Sequence, residues 1–384
     1  MSPAAAFLDA CHAQGCRFIT GTPCSYLKPL INAAIDDPRF RFCDAVNEGD
    51  AVAMAAGATL AGVRSLVMFQ NSGLGNAVNA LTSLCHPFRV PVLLVVTHRG
   101  EPSGEADEPQ HELMGRITTG LLDTMGIAWA GFPEQEPAAA VARAVAHMDM
   151  TGRPYALVMR KGTVAPQALQ LRPAGLWTDR KVSFRHVAGD PADYPSRAEA
   201  LQTLRAARLP NEVLIATTGY TGRELCAQGD APWNLYMIGS MGSASAFGLG
   251  LALHAPRHAV TVIEGDGALL MRMGNLATLG AYAPPKLRHV VLDNAAHEST
   301  GGQSTVSPGV AFAAIAQACG YDRVFSVDNL ADFAAALAVP LTEGPAFIHL
   351  RIKPGAPDKL PRPKVAPADV FRRLQHWLGV PELP

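Results

Sequence analysis

Gly265-Asp266-Gly267 and Asn294 are the residues of this chain whose types and spacing most readily do chemistry. The tripeptide closes an apolar run at 260–263 and opens a helical run from Ala268 to about Ala283, and Asn294 closes the next apolar run at 289–292. Strand, turn, helix and strand in that order bring an Asp carboxylate and an Asn carboxamide to the carboxyl edge of a parallel sheet, where open α/β sheets bind ligands. Glycine on both sides of Asp266 permits a tight turn and lets backbone N–H groups at the helix start face a phosphate. Asp and Asn oxygens suit Mg²⁺, a hard cation commonly shared between a few protein oxygens and the phosphates of a ligand. Taken alone, Gly-Asp-Gly also describes a plain turn.

The elements that must position these residues belong to an ordinary globular α/β chain. Of 384 residues, 48% are hydrophobic and 17% charged, enough to bury a large core and too apolar for disorder. With 32 Lys+Arg against 33 Asp+Glu the net charge is -1, and no basic run tracks a phosphate backbone, which argues against nucleic acid as a partner. Every apolar run breaks before about 18 residues and the first residues lack the charged and apolar regions of a signal peptide, so the expectation is a cytoplasmic protein with no membrane association. The 7 cysteines form no C-x-x-C pair and read as reduced core thiols. Short apolar runs at 65–69 and 90–96 alternate with helical stretches at 50–61 and 138–148, and a further strand is expected at 155–159. Periodicity lapses through a Pro- and Gly-punctuated stretch and resumes at Ser196-Arg197-Ala198-Glu199, a capping box. Strands at 212–216, 260–263, 289–292 and 346–350 follow, and a last helix at 369–378. The pattern predicts α/β architecture: two doubly wound parallel-sheet domains, 1–165 and 196–384, joined by a linker at 166–195. Gly73-Leu74-Gly75 and Gly248-Leu249-Gly250 lack the third glycine of a dinucleotide fingerprint, and no P-loop is present.

With 26 positions (268 to 293) between Gly267 and Asn294, the segment resembles the motif of thiamine diphosphate enzymes. The resemblance implies thiamine diphosphate and Mg²⁺ as cofactors, with the metal held by Asp266, Asn294 and the carbonyl of Ala296, and Gly265, Gly267 and Ala268 beside the diphosphate. Asp293 stands where the first Asn of that motif usually stands. Asn47-Glu48 resembles the Asn-Glu of the same enzymes. An acidic residue opening a helix is favoured by the dipole alone. In this family Glu48 would share a proton with the aminopyrimidine ring of the cofactor. Gly239-Ser240-Met241-Gly242 resembles the loop in which a bulky side chain, here Met241, wedges the cofactor into a bent shape while the Gly239 carbonyl accepts from its exocyclic amine. A buried Met also serves simply as core.

A connecting stretch of about 30 residues cannot hold the third, middle domain of common thiamine decarboxylases. The chain resembles the small group of phosphonopyruvate and sulfopyruvate decarboxylases nearly along its whole length: in Gln70-Asn71-Ser72-Gly73-Leu74-Gly75-Asn76, in Arg99-Gly100-Glu101-Pro102, in Asp107-Glu108-Pro109-Gln110-His111, in Thr217-Thr218-Gly219-Tyr220-Thr221, and in His297 with Gly301-Gly302-Gln303. This implies two fused domains, one binding the pyrimidine and one the diphosphate, and decarboxylation of 3-phosphonopyruvate to phosphonoacetaldehyde and CO₂. The alternatives are sulfopyruvate as substrate, or a decayed site that binds cofactor without turnover. Either substrate carries a second strong anion, for which Arg99 is the first choice, with Gln70, Asn71, Gln303, and the histidines His111 and His297 as polar contacts or proton donors. Each of these could equally staple a loop. Related enzymes build each site from two subunits, which implies a homo-oligomer, at least a dimer, with the Ala-rich helix after Glu48 at a subunit contact.

Overall fold

The computed structural model describes residues 4–105, 107–171, 193–341, 344–357 and 360–381. The chain divides into two compact units, principally Met1–Trp177 and Thr178–Val380. The linker expected at 166–195 falls largely on 172–192, outside the described residues.

The first unit is a six-stranded, wholly parallel sheet of β1 (Cys16–Gly21), β2 (Arg41–Asp44), β3 (Arg64–Phe69), β4 (Leu93–Thr97), β5 (Ala128–Gly131) and β6 (Tyr155–Met159), in the order β2-β1-β3-β4-β6-β5. β4 is buried at every position, as expected of a central parallel strand covered on both faces. Phe7, Leu8, Leu27, Leu30, Leu66, Met68, Leu93 and Leu157 form one continuous core. The helix Glu48–Leu60 starts at Asn47, whose side chain accepts from Gly49 N at 2.8 Å. Gly49 to Leu60 are all buried, against β1, β3 and the helix Leu74–Ala80. Its small side chains therefore let it lie close to strands of its own chain, and its burial needs no subunit contact.

The second unit holds β7 (Glu212–Ala216), β8 (Asn234–Tyr236), β9 (Ala259–Gly265), β10 (Leu287–Asp293), a hairpin of β11 (Ala296–His297) and β12 (Gln303–Ser304), then β13 (Arg323–Val327) and β14 (Ala346–Arg351). Its main sheet runs β13-β14-β10-β9-β7-β8, again all parallel. Numbered within its own unit, with the hairpin left out, each sheet reads 2-1-3-4-6-5, so both units are wired alike. The order reverses beside β1 in one and β7 in the other, the crevice where such sheets take ligands. The Ser196 capping box forms, with Ser196 Oγ accepting from Glu199 N at 3.2 Å and Glu199 Oε2 from Ser196 N at 2.8 Å. The helical run expected from Ala268 breaks into Asp266–Met271 and Asn275–Tyr282.

Candidate active site

At the carboxyl ends of β7, β9 and β10 a pocket is lined by Thr217, Gly219, Met241, Asp266, Asn294 and His297, with Gly265, Gly267, Ala268 and Ala296 around it. Asp266 opens its helix and is 2% exposed; burial pushes its carboxyl above the ordinary value, with the Thr305 hydroxyl acting against that rise. A Cβ on Gly267 would lie 2.6 Å from His297 Cε1 and 3.4 Å from Met241 Cε, so a side chain there would push the His297 ring aside. Asn294 Oδ1 accepts from Ala296 N at 3.2 Å, and Ala295, at φ 56, turns the chain back toward the pocket. In the loop Gly239–Gly242, Ser240 and Gly242 have φ 51 and 88; this sharp bend presents Met241, and the left-handed Ser240 is braced by Ser243 Oγ at 2.7 Å. Gly239 itself is not among the pocket-lining residues. Gly219, at φ 97 and ψ -148, holds a conformation open essentially to glycine and starts the helix Tyr220–Ala227 with its N–H groups at the pocket.

Behind Asp266 runs a chain of hydrogen bonds that the sequence did not announce. Thr305 Oγ1 donates to Asp266 Oδ2 and accepts from Ser307 N at 3.3 Å. Ser307 Oγ donates to Asp293 Oδ1 at 2.7 Å, Asp293 Oδ2 meets His349 Nε2 at 3.0 Å, and His349 Nδ1 meets Ser326 Oγ at 3.2 Å. Burial alone would raise Asp293, but hydrogen bonds from His349 and Ser307 and the attraction of His349 outweigh it and hold the carboxyl below its ordinary value. The carboxylate at 293 is thus matched by its own imidazole. Arg197, 5% exposed, bridges Glu224 at 2.7 Å and also Glu298, framing the same pocket.

In the first unit Glu48 is held on both carboxylate oxygens. Thr22 Oγ1 donates to Oε1 at 3.0 Å and Asn76 Nδ2 to Oε2 at 2.8 Å. Gly73 presses on it from the third side, since a Cβ there would lie 2.4 Å from Glu48 Cδ. Thr22 follows β1, and Gly73 and Asn76 follow β3, so the clamp sits at the carboxyl edge beside the point where strand order reverses. Asn76 stood in a motif already singled out; Thr22 had no local signal.

The expected substrate contacts are mostly engaged with neighbouring residues of the protein. Arg99 closes its fork on Asp107, Nε to Oδ2 at 3.0 Å and Nη2 to Oδ1 at 2.6 Å, and lies 5.0 Å over the Tyr26 ring, whose hydroxyl also reaches Asp107 at 3.0 Å. An incoming anion would have to displace that carboxylate. Asn71 is buried and donates to Arg99 O at 2.9 Å and Thr118 Oγ1 at 3.0 Å, while its Oδ1 has no partner among the described residues. Gln70 donates to Ser72 at 2.7 Å and accepts from Cys24 at 3.3 Å. His111 is buried, with Nδ1 unpartnered among the described residues and Nε2 3.8 Å from Glu108. Gln303 is exposed and bonds locally to Thr300. Arg160 and Lys161 are paired with Glu101 and Glu105, each at 2.7 Å.

The donor set fits Mg²⁺ and a diphosphate: a buried carboxylate, a carboxamide and backbone groups around glycines. Residues 1–127 match the thiamine pyrophosphate enzyme N-terminal TPP binding domain and residues 225–350 the C-terminal TPP binding domain. The chain therefore belongs to the thiamine pyrophosphate enzymes, and thiamine diphosphate is its cofactor. It is 46% identical over 373 residues to a phosphonopyruvate decarboxylase of Streptomyces viridochromogenes, covering 96% of this chain and 92% of that one. It is 28% identical over 390 residues to a sulfopyruvate decarboxylase of Methanosarcina acetivorans, covering 99% and 98%. Among solved structures, benzoylformate decarboxylase from Polynucleobacter necessarius shares the fold with a TM-score of 0.72 at 13% identity, covering 92% of this chain and 99% of that one. Among the described residues, no helix is long and apolar enough to cross a membrane.

Proposed function

We propose that the chain decarboxylates 3-phosphonopyruvate to phosphonoacetaldehyde and CO₂, using thiamine diphosphate and Mg²⁺. The observation that carries the substrate assignment is the 46% identity to a phosphonopyruvate decarboxylase across 96% of the chain, against 28% for the sulfopyruvate enzyme. When bound, thiamine diphosphate would supply an electron sink for the C–C bond that breaks on loss of CO₂. Asp266, Asn294 and the Ala296 carbonyl would hold the metal, with the Thr305 hydroxyl orienting the Asp266 carboxylate. Backbone groups at Gly219 and Gly265 to Ala268 receive the diphosphate. Met241 would bear on the bound cofactor, and the Gly239 carbonyl would accept from its amine. Glu48, gripped by Thr22 and Asn76, exchanges a proton with the pyrimidine ring. One proton replaces the lost CO₂, and His111 or His297 delivers it.

The protein works in this reading as a cytoplasmic homo-oligomer. Val46, two positions before Glu48, and Val306, next to Thr305, are exposed apolar side chains, at 55% and 70%, available to a subunit contact. Steady-state rates on phosphonopyruvate, sulfopyruvate and pyruvate, each with thiamine diphosphate and Mg²⁺, test the assignment. Phosphonopyruvate should have the highest kcat/KM. A higher value for sulfopyruvate transfers the chain to the second substrate, and cofactor binding without turnover of any of the three identifies a decayed module.

A further inference from the structure

Beside the cofactor pocket lies a second cavity of about 390 Å³, within the size range of small-molecule sites and built wholly from the second unit. It shares Thr218 and Gly219 with the cofactor pocket, so a ligand lying in it would adjoin bound thiamine diphosphate. Met237, Ile238 and Val365 give it an apolar side. Its charged side is formed by Arg223, half-buried, and Arg362, exposed, one from the helix Tyr220–Ala227 and the other from the segment before the last helix. Neither guanidinium has an acid partner among the described residues; Arg223 only leans over the Tyr220 ring at 5.7 Å. This contrasts with Arg99, Arg160 and Lys161 of the first unit, each neutralised by a carboxylate. Two like charges lining one cavity repel unless an anion lies between them, and a phosphonate offers three oxygens to two planar forks.

We propose that Arg223 and Arg362 form the subsite for the strong anion of the keto acid, so that the phosphonate rests on the cofactor-binding unit and not on Arg99. This rests on the function proposed above and deepens it. The assignment also fits the shape of the cavity, whose apolar side admits the short carbon chain while its charged side takes the oxyanion.

The test uses the protein loaded with thiamine diphosphate and Mg²⁺. Kinetics on phosphonopyruvate are measured for wild type, Arg223→Ala, Arg362→Ala, the double variant and Arg223→Lys, and methylphosphonate binding is measured on the same proteins by calorimetry. Each alanine should raise KM about ten- to a hundredfold, the loss expected for one charge-assisted hydrogen bond, with kcat changed much less. Lysine should recover part of the loss, and methylphosphonate affinity should fall in step with KM. An unchanged KM in the double variant of an active enzyme overturns the subsite and leaves the proposed function standing. A fall in kcat and in thiamine diphosphate affinity at constant KM also overturns it, since the arginines would then serve the cofactor. If wild type does not turn over phosphonopyruvate, the proposed function fails; methylphosphonate binding that disappears in the double variant still supports the anion site, and its absence in wild type overturns that too.

Discussion

Asp293 Oδ2 and His349 Nε2 are 3.0 Å apart, on neighbouring strands β10 and β14, with side chains 8% and 5% exposed. A carboxylate so buried depends on its partner, because losing one member of a buried pair leaves the other uncompensated. His349→Ala should therefore cost about 3–5 kcal/mol by urea denaturation at neutral pH. Asp293→Asn should cost less, about 1–2 kcal/mol, since the amide oxygen still accepts from Ser307 and Ala295 N. In the double variant the two losses should not add. A double variant as unstable as the sum would mean that the two side chains act independently.

Thr305 is the direct hydroxyl partner of Asp266. Removing a group that orients a metal ligand commonly weakens metal binding ten- to a hundredfold. Thr305→Ala should lower Mg²⁺ affinity by about that factor in calorimetry with thiamine diphosphate present, and Thr305→Ser should restore it. Asp266→Ala should abolish Mg²⁺-dependent cofactor binding altogether.

Glu48→Gln should retain cofactor binding and lose about 10²–10⁴-fold in kcat, the usual worth of a positioned proton-transfer group. Gly73→Ala reaches the same carboxyl by steric means, since its methyl would lie 2.4 Å from Glu48 Cδ. It should lower kcat as well. Gly75→Ala is the control, with nothing within 4 Å of the added carbon. Equal activity in all three variants would show that the grip on Glu48 is unimportant.

Hydrogen bonds from Arg99 above all hold the Asp107 carboxyl far below the usual carboxylate range. A carboxyl whose folded pKa is depressed stabilises the fold above its unfolded pKa, about 3.9, and that contribution is lost as pH falls toward the folded value. The stability gap between wild type and Asp107→Asn should thus be constant above about pH 5 and narrow steadily below pH 4. Urea titrations at several pH values measure it. A gap that widened with acid would reverse the sign of the coupling.

What could be read from the sequence was what is local. The expected strands at 212–216 and 155–159 match β7 and β6, and those at 260–263, 289–292 and 346–350 lie within β9, β10 and β14, because a buried parallel strand is a short apolar run bounded by turns. β8, with three residues, and β13, half-buried throughout, gave no such run. The Gly-Asp-Gly to Asn294 spacing was legible since one strand-helix-strand unit sets it. Thr305 lies 39 positions from Asp266, and only the hairpin β11–β12 brings it back. Arg99 was singled out for its charge, yet its use was decided by Asp107, whose approach depends on the path of a loop.

The common strand order of the two units also bears on why they are one polypeptide. Each has a six-stranded sheet and a hydrophobic core of its own. Both units share one strand order, with Glu48 at the carboxyl edge of one sheet and Asp266 at that of the other. What fusion adds is stoichiometry: every ribosome that makes one Glu48 also makes one Asp266, and the two halves are delivered at equal number and high mutual concentration.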